Sequence, residues 1–365
     1  MKKQTKLLAV LSTAALAAAL SFPAYAKNAG WAQENGNWYY YDSYGEPLTD
    51  TWKKSGDDWY YLDSDGIRAT SSQIDEYYVD EDGKRVTMKW ISVENEDYWS
   101  EQDEPEFLYY YYGRDGRALT STWASINGQW YYFNEDSIME TGAIQVDGFN
   151  YYLGEDGSRK TGWVLLEDET DDPEIIESWY YFDNSGKRIE HAVDKKINGN
   201  YYTFVDGKMQ TGWVYMDGDP DSASSNTIEH WRYFAEPEIK NAKVGAAISG
   251  WLSLEPPERL LDNVDEAVEW YFFNKDGEPK TGPEFGEAST DDFVRIDGKN
   301  YLFDQRGNPV KGLHRVEIGD TGEYTSYYFD DDSRTVVKGK RTIEEGDGTK
   351  SEFYFTESGG KAGRG

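Results

Sequence analysis

Aromatic residues recur along the chain in a fixed local order. All 14 tryptophans fall into seven sequential pairs: Trp31 and Trp38, Trp52 and Trp59, Trp90 and Trp99, Trp123 and Trp130, Trp163 and Trp179, Trp213 and Trp231, Trp251 and Trp270. The second member usually opens an aromatic triplet, as in Trp38-Tyr39-Tyr40, Trp59-Tyr60-Tyr61 and Trp130-Tyr131-Tyr132. Between these pairs lie units in which another residue replaces Trp, such as Asn150-Tyr151-Tyr152 and Asn200-Tyr201-Tyr202. Many triplets are followed by a polar turn, among them Asp42-Ser43-Tyr44-Gly45, Asp63-Ser64-Asp65-Gly66 and Asp304-Gln305-Arg306-Gly307. Asp or Asn at the first turn position can accept from the backbone two residues on, and Gly at the fourth accepts positive φ. The pattern predicts strands rather than helices, because glycines and β-prone rings recur too densely for a helical period. Each Asp-x-x-Gly turn is expected to close a β-hairpin with a bulge. About thirteen such units fit between Gly30 and Gly365.

A lone hairpin is barely stable in water, so each must bury a face against its neighbours. The expected fold is all-β: an elongated, solenoid-like stack of short β-hairpin repeats, each touching mainly the next. Along a strand the side chains alternate, so Trp59 and Tyr61 share one face while Tyr60 and Leu62 share the other. One ring face feeds a core, and the other is available at the junction between units.

Composition sharpens this reading. The 18 Leu, 16 Ile, 17 Val and 15 Phe make 18% of the chain, and the net charge is −32. Those values fall in the disordered range. Aromatics at 16% reverse that conclusion, because the apolar surface is carried by rings. The chain has no cysteine, which excludes a disulfide framework and a thiol nucleophile. Acidic residues number 69 against 37 basic, and no basic block stands out, so no nucleic acid is expected as a partner. Lys2, Lys3 and Lys6, the apolar stretch Leu7 to Leu20, and Ala24-Tyr25-Ala26 read as a signal peptide over 1–26, cut after Ala26. The apolar stretch is shorter than the roughly 18 residues of a spanning helix, so no transmembrane segment is expected. The expected organisation is then repeats over 27–234, an irregular insertion over 235–269 with weak helical spacing at Leu260, Leu261, Val264 and Val268, and degenerate repeats over 270–365.

Gly30-Trp31, seven residues to Trp38-Tyr39-Tyr40, an Asp-x-x-Gly turn, and then Trp52 to Trp59-Tyr60-Tyr61 resemble the cell-wall-binding repeat of secreted bacterial surface proteins. This is the choline-binding and glucan-binding repeat family. Ile197-Asn198-Gly199-Asn200-Tyr201-Tyr202 running on to Thr211-Gly212-Trp213 is similar to its short repeats. The resemblance implies a secreted, noncatalytic binding protein held at the cell wall or cell surface. Its partner would be a wall polymer, choline-decorated polymer or glycan, and no cofactor is expected. Aromatic cages between consecutive hairpins would take the ligand. Carried over, the walls are Trp31, Trp38 and Tyr61; Trp52, Trp59 and Tyr78; Trp123, Trp130 and Tyr152. Ring faces attract a quaternary ammonium and also stack on apolar sugar faces. The first pair of units is expected to hold the working site, and later insertions are expected to reshape or block the cages.

Two alternatives stay open: tryptophans that serve only as core, and a structural or adhesive repeat protein without a small-molecule site. His191, His230 and His314 lack metal-ligand spacing, and no Asp-x-Asp-Gly turn completes a calcium loop. With repeats over nearly all of 30–365, no stretch of ordinary domain size is left for an active site.

Overall fold

The structure is a computed structural model. It describes residues 27–364 apart from 97, 99–104, 168–176, 225, 262–267, 285 and 345–347. The expected signal peptide and Trp99 therefore lie outside the described residues.

The described residues form antiparallel hairpins in twelve sheets. One sheet joins two hairpins, which makes thirteen. The first pairs Gly30–Glu34 with Asn37–Tyr41 and the second Thr51–Ser55 with Asp58–Leu62. The third pairs Ser72–Ile74 with Tyr77–Val79, the fourth Lys89–Glu94 with Phe107–Tyr112, and the fifth Thr122–Ile126 with Gln129–Phe133. These five lie in one compact unit. The other holds the remaining eight, from the hairpin of Gly142–Val146 and Phe149–Leu153 to that of Gly339–Glu344 and Lys350–Phe355. Among the described residues helix is confined to one turn at Glu258–Leu261 and two short 3-10 turns. No helix among the described residues is long and apolar enough to cross a membrane.

The turn chemistry differs from the expectation in one respect. The two strands of a hairpin are joined ahead of the aromatic triplet, by pairs such as Asn35-Gly36, Asn127-Gly128, Asn198-Gly199 and Asp297-Gly298. Both residues of each pair have positive φ, as the primed two-residue turns require. The Asp-x-x-Gly turn comes after the triplet and folds the linker back. Asp63 Oδ1 accepts from the backbone N–H groups of Asp65 and Ile67, at 3.0 and 2.8 Å. Asp80, Asn134, Asp183, Asn274 and Asp304 accept in the same way. The returning chain then makes a single bridge to the end of its own hairpin, as Arg68 does with Leu62 and Met139 with Phe133.

That end residue is the core. Each hairpin places one buried apolar residue there, from Tyr41, Leu62, Val79, Tyr112 and Phe133 to Phe303, Phe329 and Phe355. Neighbouring hairpins meet through rings. In the first unit Trp31 lies 5.1 Å from Tyr60, Trp52 lies 5.3 Å from Tyr77 and Trp90 lies 5.0 Å from Tyr131, centroid to centroid. In the second unit Trp163 meets Tyr202 at 4.8 Å, Trp213 meets Tyr271 at 5.0 Å and Trp251 meets Tyr301 at 5.0 Å. Within the segment 235–269, Gly250–Leu254 is a regular first strand that pairs with Glu269–Phe273.

Burial of tyrosine rings couples stability to pH. Burial pushes Tyr112, Tyr233 and Tyr271 well above the ordinary tyrosine value of 10.0. Burial, together with a hydrogen bond to Asp331, pushes Tyr328 up to about 12. Below pH about 10 folded and unfolded chains both carry these protons, and the stability is complete. Above it the unfolded chain releases protons that the folded chain retains, so stability falls as pH rises toward the folded values. The expected slope is at most about 1.4 kcal/mol per pH unit for each such ring. Urea midpoints measured between neutral and strongly alkaline pH check this, with tyrosinate absorbance reporting the rings. A flat midpoint from pH 9 to about 12 would contradict it.

Candidate binding sites between consecutive hairpins

Pairing register decides which rings share a junction. In the first hairpin Trp31 pairs with Tyr40 and Gln33 with Trp38, so both tryptophans lie on one face as a diagonal pair. Their rings are 6.5 Å apart at 84°. In the second hairpin Tyr60 turns back toward them, at 72° to Trp31. Tyr61 lies on the other face, 5.3 Å from Trp52. The first junction is therefore Trp31, Trp38 and Tyr60, with Tyr61 belonging to the next one along. The second junction repeats the shift. Trp52 and Trp59 face Tyr77, while Tyr78 points onward to Tyr112 at 5.9 Å. Of the third expected set, Trp123 and Trp130 lie on the fifth hairpin, Trp123 5.2 Å from Tyr132. Tyr152 lies in the second unit against Phe182, at 6.4 Å. Strand parity explains the offset: the ring facing back is the second of its triplet, one position from a residue that faces forward.

A fourth position completes each junction. It is the bridge residue of the returning linker. Its backbone N–H donates to the carbonyl of a wall residue in the preceding hairpin: Arg68 to Trp38, Arg85 to Trp59 and Met139 to Tyr109, each at 2.8 Å. At the tenth hairpin Pro309 has no N–H, and Asn308 Nδ2 reaches the Trp270 carbonyl instead, at 3.4 Å.

Three junctions outside the expected sets have the same build with an apolar fourth residue. After the fourth hairpin they are Trp90, Tyr109 and Tyr131 with Met139. Tyr109 takes the place in the register that Trp38 holds in the first hairpin. After the seventh they are Trp163, Trp179 and Tyr202 with Met209. The two tryptophans are 6.4 Å apart at 87°, and Met209 packs against the same cluster as Trp163. After the tenth they are Trp251, Trp270 and Tyr301 with Pro309, the tryptophans 6.5 Å apart at 75°. The outer wall of each is open to solvent: Tyr109 is 42% exposed, Trp179 38% and Trp270 49%.

Insertions do not disturb this geometry in the way the sequence led us to expect. In the seventh hairpin Trp163 still pairs with Tyr181 and Leu165 with Trp179, although sixteen positions separate the tryptophans. The added residues join the strands and leave the register unchanged. The ninth hairpin does meet the expectation of a blocked cage. Trp231 is buried with Ala223 and Ile228 of its own connection and with Leu260 of the following hairpin's connection, and its indole N–H has no acceptor among the described residues.

The junction after the sixth hairpin is polar instead. Asn150 stands where a tryptophan would, and Arg188 makes two 2.8 Å hydrogen bonds to Glu190. Desolvation raises the Glu190 carboxyl, but the hydrogen bonds from Arg188 and Asn150 outweigh it and hold the group below the usual range. Of the histidines, His230 pairs with Asp217 at 2.9 Å, and His314 Nε2 lies 2.8 Å from the Lys311 carbonyl oxygen.

Near-perpendicular rings beside an apolar residue thus recur at junctions between hairpins. The sequence matches agree. Residues 49–85 and 119–161 match the choline-binding repeat, and 29–46 and 177–187 match the putative cell wall binding repeat. Over those segments the chain carries repeats of the choline-binding and putative cell wall binding type. No curated protein matches it by sequence. Among solved structures it is similar to the modular autolysin LytC from Streptococcus pneumoniae in complex with a synthetic peptidoglycan ligand. That likeness is at 20% identity and a TM-score of 0.45, over 79% of this chain and 54% of that one. It therefore spans about half the length of the autolysin. It is also similar to CbpJ from Streptococcus pneumoniae, at 19% identity and a TM-score of 0.40, over 91% of this chain and 99% of that one. The choline-binding domain of CbpL from the same organism matches at 27% identity and a TM-score of 0.37, over 52% of this chain and 90% of that domain.

Proposed function

We propose that this is a secreted, noncatalytic protein that attaches to cell-wall polymer through the ring-walled junctions. The observation that carries this reading is the seventh junction. Trp163, Trp179 and Tyr202 stand around Met209 with the Trp179 face open to solvent. Such a recess accepts a quaternary ammonium, each ring contact contributing roughly 0.5 to 2 kcal/mol. Choline on a wall polymer carries that group, and the apolar face of a sugar fits the same rings. The net charge of −32 favours a cationic or neutral group over a bare anionic polymer. Single recesses bind weakly after the cost of immobilising the ligand, and several in one chain on a repetitive polymer multiply the effect. The residues expected from sequence, Trp31, Trp38, Trp52, Trp59, Trp123 and Trp130, also form diagonal ring pairs, but in the first two junctions the fourth residue is an arginine, Arg68 or Arg85. The covered Trp231 supports a purely structural role for the ninth hairpin.

Co-sedimentation with choline-bearing walls tests the reading. The full chain is expected in the pellet, and free choline releases it. A chain with Trp179→Ala and Trp270→Ala together is expected to bind about tenfold more weakly while staying folded, since each change removes one exposed wall. Undiminished binding by that folded variant refutes the placement at these junctions. Equal binding to walls stripped of choline, unaffected by free choline, assigns the rings to glycan instead.

A further inference from the structure

At the first two junctions and the seventh, the returning linker brings one side chain up to the rings. Its backbone bridges its own hairpin's core residue, and in the first two junctions it donates to the carbonyl of the outer tryptophan. In the second junction this residue is Arg85. Its guanidinium carbon lies 5.1 Å from the Tyr77 ring, 5.5 Å from Trp59 and 5.9 Å from Trp52. All three walls are engaged. In the first junction Arg68 lies 5.7 Å from Trp38 and 5.8 Å from Tyr60.

Neither guanidinium forms an ion pair with a described residue, in a chain of 69 acidic residues. The Nε of each is buried without a hydrogen-bond partner. Arg188 holds the same position where Asn150 replaces the tryptophan, and there its guanidinium is shared between the Tyr180 ring, at 5.3 Å, and the Glu190 carboxylate. The rings at the first two junctions thus serve as the counter-group for a cation that belongs to the chain.

We propose that Arg68 and Arg85 are tethered occupants of the first two junctions and fix the specificity of the chain. Quaternary ammonium groups are refused there and accepted only where the fourth residue is Met139, Met209 or Pro309. The inference rests on the proposed function for what those open junctions take. A tethered cation competes at an effective concentration no free ligand in the millimolar range easily exceeds. An entering cation would also meet a like charge within a few ångströms. The stems of Arg68 and Arg85 lie over Gly83 and Gly116, as Met139 lies over Gly157, so methionine fits the same path.

The test uses the full chain labelled with fluorotryptophan and titrated with tetramethylammonium and, separately, choline, each ring assigned by a single Trp→Phe change. In the unchanged protein the Trp163 and Trp179 resonances are expected to move. Those of Trp52 and Trp59 should stay until about tenfold higher concentration. In Arg85→Met, Trp52 and Trp59 are expected to move in the same range as Trp163. In Arg68→Met, Trp31 and Trp38 are expected to do so. Response of Trp52 and Trp59 in the unchanged protein at the concentration that moves Trp163 overturns the proposal, and needs no variant. So does silence of those rings in a folded Arg85→Met chain, or of Trp31 and Trp38 in a folded Arg68→Met chain if the first variant does not fold. Gain of response at Trp52 and Trp59 with Trp163 silent in every chain supports the tethered cation and refutes the quaternary-ammonium reading of the open junctions.

Discussion

Trp163→Ala is expected to destabilise the second unit by about 3 kcal/mol and to abolish binding at the seventh junction. Trp163 touches four rings: Trp179 at 6.4 Å, Tyr181 at 5.0 Å, Tyr202 at 4.8 Å and, stacked, Phe204 at 5.7 Å. It is half-buried, so its loss lies toward the lower end of what a large aromatic costs in a core. The neighbouring Trp179→Ala provides the contrast. Trp179 is more exposed, and its described ring partner is Trp163. Its removal should cost about 1 kcal/mol or less while still removing a wall. Urea unfolding of the two variants measures the difference, and hydrogen exchange locates it in the seventh and eighth hairpins. Equal destabilisation by both changes would show that Trp163 does not hold these hairpins together.

Gly282→Ala is expected to cost about 3 kcal/mol, the upper end for an overpacked site, because the obstacle is backbone. A Cβ at Gly282 would lie 1.8 Å from the Phe303 carbonyl oxygen and 2.7 Å from its carbonyl carbon. Phe303 is the buried end residue of the eleventh hairpin, and the Gly282 N–H donates to Asp304 O at 2.9 Å, so neither chain can withdraw freely. Three other glycines that follow a threonine, Gly142, Gly162 and Gly212, differ. Each has φ between +70° and +81°, and Gly142 and Gly162 have open space around the added carbon. Alanine at Gly142 or Gly162 should therefore cost only the strain of positive φ, about 1 kcal/mol. Thermal melts of Gly162→Ala and Gly282→Ala, side by side, check the ranking. A milder effect at Gly282 would mean that the linker after the tenth hairpin yields.

The repeat, its strand content and its count were legible because aromatic spacing and Asp-x-x-Gly turns are local signals. The turn that closes each hairpin was legible too, in the Asn-Gly and Asp-Gly pairs that precede the triplets, such as Asn35-Gly36 and Asp297-Gly298, but the more frequent Asp-x-x-Gly turn drew the assignment. The junction members were readable in principle. The alternation that separates Tyr60 from Trp59 already puts Tyr60 on the face toward the first hairpin, and counting back from the buried end residue finds Tyr109, Tyr131 and Tyr202. Distance along the chain misled where the connection was long. The pairing of Leu165 with Trp179 shows that register, not separation, sets the diagonal. What covers Trp231 could not be read from spacing, because it depends on how Ile228 and Leu260 pack in three dimensions. The arginines were visible at the second place after a turn glycine, in Gly66-Ile67-Arg68 and Gly83-Lys84-Arg85, but their significance depends on the rings they meet.

The unchanged pairing of the seventh hairpin across its long connection has a wider consequence. The rungs that align Trp163 with Tyr181 are complete before the chain departs at Glu167 and resume at Glu177. The register of the rings is the same as in the first hairpin, whatever number of residues separates those rungs. The connection can lengthen, change charge or acquire a new epitope through drift without a compensating change at the rings. A hairpin of this build can therefore vary its connection while keeping the register of its rings.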